Sequence, residues 1–142
     1  MITGNLSGYL NTLVAHNRNN RPPFQPGSSL SSYARKNCTV SLRTFREAGH
    51  TSAILNLVSN FNHALVLGPS RAWLDRIKPK LPAGAVAGLA SRYSLGKVRA
   101  TDLDLLVIDN ASLASPYAIA RWYNPIVLEC FFRSSPLYVL VG

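Results

Sequence analysis

The stretch Leu103-Asp104-Leu105-Leu106-Val107-Ile108 constrains the fold of this chain more than any other. It is a nearly continuous apolar run, the pattern of a strand covered on both faces, and such strands belong to parallel sheets packed between helices. Around it, strand-like and helix-like segments alternate. Residues 38–42 alternate and carry β-branched side chains, which predicts a strand. Thr44 to His50 is a turn containing Gly49, and Thr51 to Phe61 has Ile54, Leu57, Val58 and Phe61 on one helical face. His63 to Leu67 is a second strand, stopped by Gly68-Pro69. Arg71 to Lys80 is a short helix closed by Pro79 and Pro82. Leu81 to Leu95 is rich in small residues and fits neither template. Ser115-Pro116 opens a helix, since proline suits the first helical turn, and Pro125 kinks or ends it. Residues 136–141 form a last apolar strand. The alternation predicts an α/β domain with a small, mostly parallel sheet of four or five strands flanked by helices.

The N-terminal part differs. Leu6, Leu10, Leu13 and Val14 lie at helical spacing within residues 2–16, and 17–32 is crowded with Asn, Arg, Pro, Gly and Ser. The expected division is an N-terminal helix and basic arm over 1–37 and one α/β domain over 38–142. A chain of 142 residues suits a single domain.

Charge narrows the partners. Fifteen Lys and Arg against six Asp and Glu give a net charge of +9. Residues 1–46 contain no acid, and 71–99 hold seven cations against Asp75 alone. A polyanion is therefore the expected partner, because each neutralised phosphate releases counterions. Single-strand binders combine such cations with aromatic platforms. The candidate interface is Arg18, Arg21, Arg35, Lys36, Arg71, Trp73, Arg76, Lys78, Lys80, Arg92, Lys97 and Arg99, with Trp73 the best-placed aromatic. No stretch reaches the ~18 uncharged apolar residues needed to span a bilayer, and no basic-then-apolar leader opens the chain. An intracellular protein without membrane contact is expected. Cys38 and Cys130 stand apart, without a CxxC or Cys/His cluster, so both read as core thiols rather than as a disulfide or zinc ligands.

Two strand ends could carry nucleotide chemistry. Arg46-Glu47-Ala48-Gly49-His50-Thr51 joins a strand to a helix. A phosphate-binding loop needs a glycine for close backbone approach, a lysine for the phosphates and a Ser or Thr hydroxyl for magnesium at the helix start. Gly49 and Thr51 hold the second glycine and hydroxyl positions, His50 stands at the lysine and Thr44 at the first glycine. The second element is Leu105-Leu106-Val107-Ile108-Asp109-Asn110, an apolar strand ending in an acid.

Together these segments resemble the RecA-like core of helicases and viral terminase large subunits over residues 24–142. Arg46-x-x-Gly49-His50-Thr51 resembles the terminase phosphate loop, and Val66-Leu67-Gly68-Pro69-Ser70 the second strand and its nucleic-acid-touching loop. Asp109-Asn110-Ala111-Ser112 resembles the acidic box, and 137–142 the strand leading to the coupling motif. Arg21-Pro22-Pro23-Phe24-Gln25 is similar to the segment that reads adenine. The resemblance implies a viral protein with Gln25, Arg46, Gly49, His50, Thr51 and Asp109 as nucleotide-binding residues and Mg-ATP as the cofactor if one is used. The departures imply loss of efficient turnover, since the lysine is absent and Asn110 replaces the carboxylate that would activate water. Each such loss costs ~100-fold or more in rate.

The leading expectation is thus a non-enzymatic, weakly sequence-specific binder of single-stranded DNA or RNA on a degenerate phosphate-loop fold. The alternatives are an ATP-binding protein or slow ATPase, and an adaptor for a host or viral protein. Apolar residues 126–141 make self-association a further expectation.

Overall fold

In the computed structural model, which describes residues 3–43, 49–91, 103–125, 127–132 and 136–142, five strands form one sheet. They are β1 (Thr39–Leu42), β2 (Ala64–Gly68), β3 (Ala85–Leu89), β4 (Leu105–Asp109) and β5 (Tyr138–Val141). Their order is β1-β5-β4-β2-β3, and every neighbouring pair is parallel. All residues of β2 and β4 are buried, as the unbroken apolar run required of interior strands. The molecule is an α/β protein with a fully parallel sheet, of the RecA-like or Rossmann-like kind.

Two apolar cores sandwich the sheet. One holds Leu6, Leu10 and Val14 of α1 (Thr3–Asn20), Ile54 and Leu57 of α3 (His50–Val58), and Trp73 and Ile77 of α4 (Arg71–Ile77). The other holds Ala34 of α2 (Leu30–Asn37) together with Trp122, Tyr123, Val127 and Leu128, which follow α5 (Pro116–Ala120). Direction of travel explains this division. β1 to β2 and β2 to β3 step one way across the sheet, and β4 to β5 steps the other. Right-handed crossovers then place α3 and α4 on one face and α5 on the opposite face.

Residues 3–37 do not stand off as an arm. Leu6 and Leu10 of α1 are fully buried, each contributing roughly 1.5–3 kcal/mol of apolar burial. Asn11 donates to the side chain of Asn56 at 2.8 Å, tying α1 to α3. The exposed Pro22–Ser29 strap then carries the chain past the amino ends of the strands to α2 on the other face. Arg21 pins this crossing. Its guanidinium donates to the Pro136 carbonyl at 2.9 Å, to Asn17 Oδ1 at 2.8 Å and to Cys38 Sγ at 3.2 Å. Arg21→Ala is expected to lower stability by about 1–3 kcal/mol in urea unfolding, because the bonds involve a charged, half-buried donor. An unchanged midpoint would show that the crossing needs no pin.

Several expected boundaries move for local reasons. The first helix extends to Asn20, beyond the expected 16, and α2 begins inside the segment read as breaker-rich and runs past it to Asn37. Ser29 caps α2 by accepting from the Ser32 amide. α4 stops at Ile77 and tightens into a single turn over Lys78–Lys80, where Pro79 has no amide to continue the α ladder. The ambiguous small-residue stretch contains β3, an edge strand with β2 as its neighbour. The helix opened by Ser115-Pro116 is capped by Ser115 but ends at Ala120.

Candidate functional site

Connections leaving β1 and β4 diverge to opposite faces, and only β5 separates the two strands. In open parallel sheets, the carboxyl edge at such a switch point is where ligands bind. A cavity of about 570 Å³ opens there. It is lined by Leu42 and Arg43 at the end of β1, Ala111 and Ser112 after β4, Ile119 of α5 and Gly142 after β5.

Each strand end has a specific local structure. Gly49 precedes α3 with φ of 86°, a conformation that favours glycine, and no side chain caps the helix. The first-turn amides of α3 therefore lack a side-chain acceptor from the cap position. His50 is buried at the first helical position, and Thr51 beside it is half-buried. On β4, Asp109 is 1% exposed. Its Oδ2 accepts the Trp73 indole N–H at 2.8 Å, and its Oδ1 accepts the Asn110 amide at 2.8 Å. Asn110 is in the left-handed region with φ of 53°, which Asn tolerates better than most residues. Among the described residues, His50 and Asp109 are the polar or charged members of the buried core, and both stand at this edge.

The expected nucleotide residues are thus partly assembled. Gly49, His50 and Thr51 follow β1, and Asp109 ends β4 one strand away. These four do not line the cavity itself, which opens on the α5 side of the edge. Gln25 is not with them. It lines a shallow groove with Lys36 and Asn37 beside the start of β1, at the opposite edge of the sheet. An adenine-reading role next to Gly49 is thereby corrected. Arg46 lies outside the described residues. Arg43 and Ser112 line the cavity but were not singled out as ligand residues. Their signal was position alone, directly after strands that lead into candidate loops.

The cationic set does not form one surface. Arg35 and Lys36 are on α2, while Arg71, Arg76, Lys78 and Lys80 are exposed on or just after α4, across the sheet. Arg35 lies over the Tyr123 ring at 4.9 Å, and Arg71 pairs with Asp75 at 3.6 Å in solvent. Arg18 lies over Phe61 at 5.6 Å, and Arg21 is spent on internal bonds. Arg92, Lys97 and Arg99 lie outside the described residues. Trp73 is corrected from a stacking platform to a core residue. It is 4% exposed, and its ring lies flat against the Gly68 backbone, where an added Cβ would fall 2.3 Å from the indole.

Cys38 is buried, and burial pushes its thiol pKa up, with the Arg21 charge opposing that shift. It is a core thiol, as its position suggested. The side chain of Cys130 lies outside the described residues. The Tyr138 hydroxyl, buried and donating to the Trp122 carbonyl, is pushed far above its ordinary pKa by desolvation. Among the described residues, no three His, Cys, Asp or Glu side chains gather as a metal cluster, and no helix is long and apolar enough to cross a membrane.

Fold and site define an α/β protein with an open switch-point edge that carries a glycine-led helix start and a buried strand-end acid. No protein-family model matches the chain, and no curated protein matches it.

Proposed function

We propose that this protein binds a nucleoside triphosphate with magnesium at the carboxyl edge of its sheet and hydrolyses it slowly or not at all. The observation that carries the reading is the convergence of the Gly49–Thr51 helix start and the buried Asp109 on one switch-point edge. The glycine-led start of α3 and its positive dipole end suit a phosphate. Thr51 offers a hydroxyl to the magnesium. Asp109 would act through a metal-bound water, since magnesium keeps several of its waters. When bound, the metal supplies charge neutralisation between phosphate oxygens. Arg43, exposed at the cavity, is the cation that this reading assigns to the phosphate. Asn110 cannot accept a proton, which is why turnover is expected to be slow.

The test is equilibrium binding of a fluorescent ATP analogue. Magnesium should strengthen binding in the parent chain, and Thr51→Ala should remove most of that gain, weakening affinity about tenfold. Binding that ignores both magnesium and Thr51 would reject the reading.

A net charge of +9 favours a second reading, in which the protein also binds DNA or RNA. Its charge-reversal test uses Arg18, Arg35 and Lys36, which are exposed, and spares Arg21, whose loss would disturb the fold. A partner protein, self-association and a viral origin remain expectations of the sequence.

A further inference from the structure

The Pro22–Ser29 strap is exposed yet held in place. The Tyr33 hydroxyl donates to the Pro22 carbonyl at 2.5 Å, and the Ser28 hydroxyl donates to the Gln25 carbonyl at 2.5 Å. Phe24 stands out from it, 40% exposed, with its ring packed edge-on against Tyr33 at 5.3 Å and 67°. Two grooves meet at this point. One, of about 280 Å³, contains Gln25 and Lys36; the other, of about 580 Å³, contains Phe24 and Arg18. Pro22, Pro23 and Tyr33 line both. No acidic residue among the described ones lines either groove, although Asp104 lines the next cavity beside Arg18.

We infer that this double groove is a binding track for single-stranded nucleic acid, with one base stacked on Phe24 and the backbone running between Lys36 and Arg18. The inference rests on the second reading above and gives it a place, on the sheet edge opposite the nucleotide site. Positive charge at both ends of the track complements a phosphate backbone. An exposed ring fixed by a neighbouring tyrosine provides a platform that any base can use. A duplex cannot use it, because its bases are already stacked. The two hydrogen bonds that hold the strap reduce the entropy lost when a strand docks on it.

The experiment is fluorescence anisotropy with a labelled oligothymidine across a salt series. Phe24→Ala should weaken binding by roughly fivefold or more, the loss expected for one stacked base. Phe24→Tyr should restore it. Lys36→Glu should flatten the dependence of affinity on salt by about one phosphate's worth. Both positions are exposed, so unchanged thermal unfolding serves as the folding control. Oligothymidine bound equally well by Phe24→Ala would overturn the track while leaving nucleic-acid binding intact. Equal competition by poly-glutamate would overturn it in favour of a surface selective only for charge. No oligonucleotide binding at all would overturn both the track and the reading beneath it.

Discussion

Replacing Trp73 by alanine is expected to remove about 3–5 kcal/mol of stability, a large part of what a domain this size possesses. The indole is buried between α4 and the ends of β2 and β4. Its loss leaves a cavity and takes a donor from a buried carboxylate. Trp73→Phe separates the two effects. It keeps most of the ring volume but deletes the N–H that Asp109 Oδ2 accepts, so it should cost about 1–3 kcal/mol through the lost charged hydrogen bond. Guanidinium unfolding of both variants measures the difference. A loss below about 1 kcal/mol for Trp73→Ala would mean that the ring is not the keystone its burial suggests.

The second large effect is expected at Gly68. A Cβ there would lie 2.3–2.4 Å from three atoms of the Trp73 ring, far inside contact distance. The ring is buried and its N–H is bonded to Asp109, so it cannot yield without straining that bond. Gly68→Ala should therefore destabilise by about 1–3 kcal/mol or more, as overpacked cores do. The same clash makes a second forecast. In a Gly68→Ala, Trp73→Leu double variant the leucine leaves room for the methyl group. The combined loss should then be smaller than the sum of the two single losses, by at least about 0.5 kcal/mol. Strict additivity would show that the two residues do not press on each other.

What the sequence displays, and what it hides, follows from how each element is buried. β2, β4 and β5 are legible because strands covered on both faces need long apolar runs, and Leu105–Ile108 is such a run. β3 is not, because an edge strand built of Ala85-Val86-Ala87-Gly88-Leu89 makes weaker demands on its side chains. α2 hides behind the prolines and serines of the strap, although Ser29 followed by Leu30, Tyr33 and Ala34 carries a cap and a helical spacing. Strand order is beyond the pattern altogether, since nothing in the run of β5 says that it inserts between β1 and β4.

The same logic holds at the site. Gly49 and Asp109 announce themselves as a turn glycine and a strand-end acid. The bond between Trp73 and Asp109 does not, because 36 residues separate them and only the adjacency of β2 and β4 brings them together. Gly68 reads as the stop of a strand, whereas its missing side chain is what seats the indole. Trp73 beside Arg71 and Arg76 looks like a nucleic-acid platform until the helix phase is known. The turn of α4 that exposes the arginines turns the tryptophan inward.

The central claim is that a nucleotide occupies the carboxyl edge between β1 and β4. The measurement that tests it most directly is amide hydrogen exchange with and without Mg-ATP. The account predicts added protection at the start of α3, from His50 to Ala53, and around Asn110 to Ser112, with the Pro22–Ser29 strap unaffected. Mg-ATP that protects none of these amides, or protects the strap instead, would contradict it.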